Sequence, residues 1–230
     1  MCIIIAKNKN NRLPKKAELE YSFNHNHDGA GFMYTDNGKV IIDKGYMTFE
    51  KFYQRYIELC KKYNNFKDKS LVIHCRIGTG GGNTAQNTHP YPLSNNIDEM
   101  HKIHNKCEIG IAHNGIMSDY RPEKGNYNDT QEFIKEFVYN LLRLDKHFYK
   151  RTYFRDLIEK NANASYYRNK FAILDKNDNL YLIGDYVTED NLSFSNENFK
   201  PYEPKQYVYK SYSQWNDDYY DRDWELYRDM

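Results

Sequence analysis

A cysteine follows the initiator methionine and precedes the apolar residues 3–6. Methionine aminopeptidase removes Met1 when the second side chain is small, which would leave Cys2 with a free α-amino group beside its thiol. An α-amine titrates near pH ~8, against ~10.4 for a lysine amine, so a useful fraction is unprotonated at neutral pH. Such an amine can act as general base for the thiol of its own residue. Cys2 is therefore a candidate nucleophile, and a buried cysteine at the start of a core strand is the alternative.

A glycine-rich segment after residues 71–75 has the composition of a ligand-binding loop, and His89-Pro90 closes it. Arg76 at its start can hold a carboxylate through two parallel N–H···O bonds. The four glycines between residues 78 and 82 allow positive φ angles and a close approach of the backbone to a small ligand. A surface loop with a solvated arginine is the alternative. A phosphate-binding loop of the Walker type is excluded because the segment contains no lysine.

The apolar residues 109–112 lead into His113-Asn114-Gly115. The side-chain amide of Asn114 and the backbone N–H of Gly115 form a donor pair suited to an oxyanion. Asn-Gly is also a common turn dipeptide, so an ordinary turn stays open as the other interpretation.

Two acidic residues lie next to predicted elements. Asp28 and Gly29 belong to a turn before the strand-like residues 32–34. Asp129 comes just before residues 131–144, in which apolar side chains recur at helical spacing. Asp129 is most simply the N-cap of this helix, and its carboxylate could also face the ammonium group of a ligand.

In this order along the chain, the motifs resemble those of the glutaminase domain of class II glutamine amidotransferases, which are N-terminal nucleophile hydrolases. The resemblance covers roughly residues 2–185. The family has an N-terminal cysteine, Asp/Asn-Gly-x-Gly, His-x-Arg-x-x-Thr-x-Gly with a downstream His-Pro, then His-Asn-Gly and an acidic residue beside threonine. The matching residues here are Cys2, Asp28-Gly29-Ala30-Gly31, residues 74–81, His89-Pro90, His113-Asn114-Gly115 and Asp129-Thr130.

The resemblance implies a catalytic centre and a fold. Cys2 would be the nucleophile and its α-amine the base, while Asn114 and Gly115 would form the oxyanion hole. The fold of the family is a four-layer αββα sandwich, in which two antiparallel sheets pack together with helices on both outer faces. Periodicity alone predicts only the α+β class. No cofactor is expected.

The resemblance also implies how glutamine would be recognised. Arg76, helped by Thr79, would bind the α-carboxylate, and Asp129 would bind the α-ammonium group. The further predicted substrate-binding residues are His89, Asp28 and Gly29. Gly80 stands where several family members have a histidine, so closure of the loop over the substrate is expected to differ.

Local patterns predict the elements that would position these residues. The predicted strands cover residues 2–6, 30–35, 38–43, 70–76, 108–113, 170–175 and 179–184. The predicted helices cover residues 48–63, 129–145 and 153–161. The pattern stops after residue 188, which predicts a glutaminase domain over 1–188 and an aromatic, acidic C-terminal extension over 189–230.

The end of this extension has two interpretations. Residues 207–230 contain six tyrosines, two tryptophans, six acidic and three basic residues. One interpretation is a loosely ordered acidic tail. The other is a docking segment with residues 207–224 as its contact surface, since aromatic side chains anchor many interfaces.

Composition limits the classes of function. The 230 residues allow one substantial core, with at most an appendage. The formal net charge of +1 gives no reason to expect a nucleic acid or an anionic membrane as partner. There is no apolar run of membrane-spanning length and no signal peptide, and the four cysteines lack a disulfide framework. A reduced, cytoplasmic protein is therefore expected.

A metal site is not predicted. His101, His104 and Cys107 recur at three-residue spacing and could share one face of a helix. A zinc site needs about four ligands, and the sequence offers no fourth.

Together these features predict hydrolysis of the side-chain amide of glutamine to glutamate and ammonia. The sequence outside the predicted domain is too short for an acceptor domain, so the ammonia acceptor is expected to be a separate partner protein, or there is no acceptor. Two alternatives stay open. One is a hydrolase of another γ-glutamyl amide, and the other is a catalytically idle binding or inhibitory module that keeps the fold.

Overall fold

The computed structural model of the protein describes residues 1–78, 80–163 and 168–201. The strands form two antiparallel sheets against which helices pack, a mixed α/β arrangement that agrees with the predicted α+β class. The predicted docking segment, residues 207–224, lies outside the described residues. Within the described ranges, no helix has the length and apolar character needed to cross a bilayer.

The two sheets are built almost entirely from short strands. They are β1 (Ile3–Lys7), β2 (Ala30–Asp36), β3 (Lys39–Tyr46), β4 (Leu71–Cys75), β5 (Tyr91–Pro92), β6 (His104–Cys107), β7 (Ile109–Asn114), β8 (Lys170–Asp175), β9 (Leu180–Ile183), β10 (Val187–Glu189) and β11 (Leu192–Phe194). The larger sheet has the order β10-β11-β1-β4-β2-β3-β6, and the smaller sheet has the order β5-β7-β8-β9. Between β1 and β4, Ile3 faces Cys75. This register brings Cys2 and Arg76, the residues just beyond those ends, to the same end of the sheet.

Helices occupy the segments between the strands. They are α1 (Lys16–His25), α2 (Phe49–Lys62), α3 (Ile97–His101), α4 (Asp129–Phe133), α5 (Tyr139–Leu144) and α6 (Thr152–Ala162). A π-helical turn, Ile134–Val138, joins α4 to α5, so the helix predicted over 129–145 is interrupted by one irregular turn. Short 3₁₀ turns lie at Asn64–Phe66, Ala85–Asn87, Ser118–Tyr120 and Phe148–Lys150.

The buried apolar side chains form three clusters. One joins the larger sheet to α1 and α2, a second joins the two sheets, and a third joins the smaller sheet to α4, α5 and α6. Ile3 and Ile5 belong to the first cluster and Ile4 to the second, because successive strand residues point to opposite faces. Both faces of β1 are therefore covered, which explains why residues 3–6 are apolar without alternation.

Several elements differ from the prediction. The sequence analysis does not predict α1, α3, β5, β6, β10 or β11, which are short or carry few apolar residues. His104 and Cys107 lie in β6, so the common helix face suggested for them with His101 does not form. The predicted domain boundary after residue 188 lies within β10. Beyond it, β11 pairs with β1, so residues up to 194 complete the larger sheet.

Candidate active site

The ends of β1, β4 and β7 and the start of α4 meet at a small cavity. Its volume is about 20 Å³, little more than one water molecule requires. The residues that line it are Cys2, Arg76, Ile77, Gly80, His89, His113, Gly115, Asn128, Asp129 and Thr130. The structure thus brings five of the predicted site residues together: Cys2, Arg76, His89, Gly115 and Asp129.

Cys2 lies half-buried against the backbone of Ile77. Ile77 N–H donates to Cys2 Sγ at 3.4 Å, and Sγ lies 3.5 Å from Ile77 O. Burial raises the pKa of the thiol above its usual value, and the hydrogen bond with Ile77 and the charge of Arg76 offset this only in part. The thiol is therefore protonated at neutral pH, so its attack on a carbonyl carbon requires a base.

Arg76 is 3% exposed, and its guanidinium contacts the glycine-rich loop. Nη2 donates to Gly80 O at 2.9 Å and to Gly82 O at 3.1 Å, and Nη1 donates to Asn83 Oδ1 at 3.4 Å. Among the described residues, no carboxylate oxygen lies within 4.0 Å of this group. A buried positive charge without a counter-ion is costly. A bound anion would therefore be stabilised here.

Asp129 is the first residue of α4, and its predicted N-cap role belongs instead to Asn128. Asn128 Oδ1 accepts from Gln131 N–H at 3.1 Å, and Gln131 Oε1 accepts from Asn128 N–H at 3.0 Å, which forms a capping box. Asp129 Oδ2 accepts from Met117 N–H at 2.8 Å, and Oδ1 accepts from Thr130 N–H at 2.8 Å. The carboxylate is thus fixed by the backbone at the cavity wall.

His113 connects this helix start to the smaller sheet. Its Nε2 lies 2.7 Å from Asn169 Oδ1, and its Nδ1 lies 2.7 Å from Thr130 Oγ1. Asn169 Nδ2 donates to Ala162 O at 2.7 Å, so Oδ1 is the acceptor and His113 carries its proton on Nε2. Thr130 then donates to Nδ1. No role is predicted for His113 or Thr130 from the sequence. Both belong to the motifs quoted above, and this membership was the signal that could have identified them.

Gly115 lines the cavity directly after β7. Its φ is +154°, and a Cβ atom would overlap Asn169 Oδ1 and lie 2.9 Å from His113 Nε2. Any side chain would therefore disturb the hydrogen bond between these two residues. Glycine is required here because the backbone passes too close to Asn169 and His113 to leave room for a side chain.

Asn114 is 2% exposed and is not among the residues that line the cavity, although its neighbours His113 and Gly115 are. Its Nδ2 donates to Ser195 Oγ at 2.8 Å. Its Oδ1 has no hydrogen-bond partner among the described residues. The predicted oxyanion donor is therefore held beside the cavity by Ser195, a residue for which the sequence gives no signal.

Three buried histidines stack beside the cavity. The ring centroid of His89 lies 4.3 Å from that of His74 and 6.3 Å from that of His113. Burial lowers the pKa of all three, that of His74 to about 3. They are therefore neutral at pH 7, and Arg76 supplies the positive charge at the cavity wall. Thr79, the predicted helper of Arg76, lies outside the described residues.

Asp28 and Gly29 do not line the cavity. Asp28 Oδ2 accepts from Gly78 N–H at 2.7 Å, and Oδ1 accepts from Asn83 Nδ2 at 2.6 Å. Asp28 N–H also donates to Arg76 O at 2.8 Å. The observed contacts of Asp28 brace the glycine-rich loop, and direct binding of substrate by Asp28 and Gly29 stays a prediction.

Comparison with known proteins gives little further guidance. The sequence matches no family model, and no curated protein is detectably similar to it. Among solved structures, the chain is similar to the glutamine phosphoribosylpyrophosphate amidotransferase from B. subtilis, complexed with ADP and GMP, with a TM-score of 0.45 and 15% identity. The match covers 84% of this chain and 41% of that one, so this chain spans less than half of its length. A similarity of this size does not by itself establish a shared fold or activity.

Proposed function

We propose that this protein hydrolyses the side-chain amide of glutamine to glutamate and ammonia, with Cys2 as the nucleophile. The observation that carries the proposal is the composition of the cavity wall. A thiol, a buried guanidinium that has no counter-ion in the described ranges, and a carboxylate fixed by backbone N–H groups lie around one cavity. Glutamine has a carboxylate, an ammonium group and an amide, which complement these three groups.

Recognition of the amino-acid head group would use Arg76 and Asp129. Arg76 can bind a carboxylate by two parallel hydrogen bonds, and the carbonyl groups of Gly80 and Gly82 occupy its Nη2 at present. A substrate carboxylate would replace these weaker neutral acceptors. Asp129 would accept hydrogen bonds from the ammonium group. Simple amides, which lack both charges, are expected to bind poorly.

The reaction requires a base because burial keeps the Cys2 thiol protonated. While Met1 is present, the Cys2 nitrogen is a peptide nitrogen and cannot accept a proton. We therefore expect Met1 to be removed, so that the α-amine takes the thiol proton as sulfur attacks the amide carbon. The amine then gives that proton to the departing ammonia, and water hydrolyses the γ-glutamyl thioester. Gly115 N–H and Asn114 would stabilise the tetrahedral oxyanion.

The small cavity implies that the site must open to accept substrate. A volume of about 20 Å³ holds roughly one water molecule and not glutamine. Since Gly80 and Gly82 contact Arg76, the glycine-rich loop would move when a carboxylate takes their place. Loop movement of this kind commonly gates an active site.

The packing of the sheets is compatible with the fold expected for such an enzyme. The three apolar clusters join helices to the larger sheet, the two sheets to each other, and the smaller sheet to further helices. This order supports a four-layer αββα sandwich. We also propose that a separate protein receives the ammonia, because free ammonia is mostly protonated at neutral pH and a sheltered path would preserve it.

The test measures release of glutamate and ammonia by protein whose N-terminus has been verified by mass spectrometry. Glutamine should be hydrolysed, N-acetylglutamine and a simple primary amide should not, and Cys2→Ala should abolish turnover while the protein stays folded. Cys107→Ala is the matched control and should retain activity. Equal turnover of N-acetylglutamine would contradict the head-group assignment. Turnover of another γ-glutamyl amide in preference to glutamine would favour that alternative, and inactivity of the processed protein would favour an idle binding module.

A further inference from the structure

Ser195 lies at a junction between the two sheets. It follows β11, is fully buried and belongs to the segment that the sequence analysis assigns to a C-terminal extension. Ser195 N–H donates to Ile4 O at 2.9 Å, and Ile4 N–H donates to Ser195 Oγ at 2.8 Å. Lys170 Nζ donates to Ser195 O at 2.5 Å. Ile4, on β1, lies two residues from Cys2, and Asn114 Nδ2, at the end of β7, lies 2.8 Å from Ser195 Oγ, so Ser195 contacts both strands that carry the proposed chemistry.

When Asn114 Nδ2 faces Ser195, the two side chains leave hydrogen-bonding groups without partners among the described residues. Ser195 Oγ accepts from both Ile4 N–H and Asn114 Nδ2, and within the described parts of the chain its own proton has no acceptor. Asn114 Oδ1 is buried and has no partner among the described residues. The oxygen and nitrogen of an amide have nearly the same shape, so their orientation is assigned from such contacts. Rotating the amide by 180° lets Ser195 Oγ–H donate to Asn114 Oδ1. The hydroxyl proton of Ser195 and the amide oxygen of Asn114 then each have a hydrogen-bond partner.

The rotated amide has a functional consequence. In this orientation the buried amide atom without a partner among the described residues is Nδ2, a donor. In the other orientation it is Oδ1, an acceptor. An oxyanion is stabilised by a fixed donor and repelled by a carbonyl oxygen. Which way the amide faces therefore decides whether Asn114 assists or opposes the reaction.

We propose that Ser195 is a positioning residue, whose hydroxyl donates to Asn114 Oδ1 and so directs Asn114 Nδ2 to the oxyanion. The proposal rests on the proposed glutamine hydrolysis. Ser195 does not touch substrate. It fixes the amide through the same hydroxyl oxygen that accepts from Ile4 N–H, so the strand of the nucleophile and the oxyanion donor are held by one group. Loss of the hydroxyl would let the amide adopt both orientations.

A double-mutant cycle tests this role through kcat and KM for glutamine, with the processed full chain. Ser195→Ala is expected to lower kcat about tenfold and to leave KM within about twofold, since the oxyanion forms only during reaction. In an Asn114→Ala background, Ser195→Ala is expected to change kcat by less than about twofold, because the group that Ser195 positions is gone. Ser195→Thr, which keeps the hydroxyl, should recover most of the lost kcat.

Ser193→Ala is the matched control, a half-buried serine of the same hairpin, and should leave kcat and KM unchanged. Thermal unfolding is recorded for each variant, and Ser195→Cys replaces the alanine variant in the cycle if the latter does not fold. An equal fall of kcat in both backgrounds, or no fall in the wild-type background, would overturn the inference. If the processed wild-type protein releases no glutamate, the proposed function itself fails, which the cycle shows before any variant is compared.

Discussion

Arg55 and Arg76 are two guanidinium groups with different surroundings. Arg55, on α2, donates through Nε to Asp43 Oδ2 at 2.7 Å and through Nη1 to Glu58 Oε2 at 3.1 Å. Arg76 is buried and contacts only carbonyl and amide oxygens within the described parts of the chain. One arginine has its counter-ions in the protein, and the other lies at a cavity wall without one among the described residues.

The buried partner of Arg55 is Asp43, which is the centre of the Asp43 cluster, formed by Asp43, Tyr46, Arg55 and His104. Asp43 is 1% exposed and accepts from Tyr46 OH at 2.5 Å and from Arg55 Nε at 2.7 Å, and its Oδ1 lies 3.0 Å from His104 Nδ1. Burial, together with the hydrogen bond to Asp43, raises the pKa of Tyr46 and keeps it a donor. Removing one partner of a paired buried charge destabilises the fold, because the other charge is then left uncompensated. A buried charge that lacks a counter-ion at a cavity is a candidate for ligand binding.

Asn114→Ala, beside the cavity, should have the largest effect on activity of the substitutions in either region. Removal of one oxyanion donor typically costs about 10²–10³-fold in kcat, so a loss of that size is expected with a smaller change in KM. Steady-state kinetics with glutamine measure it, and urea unfolding checks that the fold survives. An effect confined to KM would mean that Asn114 binds substrate and does not stabilise the transition state.

The two arginines can be compared by the same substitution. Arg76→Lys keeps the charge but loses the planar fork, so kcat/KM for glutamine should fall about 10–100-fold, the value of one or two charged hydrogen bonds. Arg55→Lys should leave kcat/KM unchanged and lower the free energy of unfolding by about 1–2 kcal/mol. The comparison fails if Arg55→Lys reduces activity as much as Arg76→Lys does.

Asp43→Asn should destabilise the protein without affecting catalysis. The buried carboxylate becomes a neutral amide, so Arg55 loses its closest counter-ion, and a loss of about 2 kcal/mol in unfolding free energy is expected. Tyr46 OH can still donate to the amide oxygen, which limits the effect. Urea unfolding measures the change. A fall in kcat/KM for the folded variant would show that the cluster and the cavity are coupled.

The remaining prediction concerns the pH dependence of stability and the histidines beside the cavity. Burial lowers the pKa of His74 to about 3, and it lowers those of His89 and His113 as well. The unfolded chain, in which histidine titrates near ~6.5, therefore binds more protons below that pH. Stability should fall as the pH drops from about 6.5 towards 3, by up to about 1.4 kcal/mol per pH unit for each histidine. Urea unfolding between pH 7 and 5 measures the slope.

Substitution of single histidines shows which of them causes the pH dependence of stability. His74→Gln keeps a donor for His113 O, to which His74 Nε2 is bonded at 2.9 Å, and should make stability less dependent on pH. His27→Gln, at an exposed position, is the control and should leave the slope unchanged. An unaltered slope in the His74 variant would contradict the assignment.

The sequence by itself determined the predicted elements of the core and the identity of five cavity residues. Runs of β-branched residues such as 3–5 favour strands through the conformational preference of their own side chains, which is a local property. The motifs around Cys2, Arg76 and Gly115 could likewise be recognised in the sequence, since arginine at a strand end can bind a carboxylate and glycine allows a close approach of the backbone. The roles assigned to these residues remain proposals.

The tertiary structure decided which of the candidates meet. The cap of α4 is Asn128 and not Asp129, because the choice depends on a hydrogen bond with Gln131 and on a partner for Asp129 from Met117. Asp28 braces the loop because Gly78 lies within reach, a contact made across 50 residues. Ser195 meets Asn114 across 81 residues. Contacts of such separation leave no pattern in neighbouring residues, since they arise only when distant strands pair or when the two sheets pack.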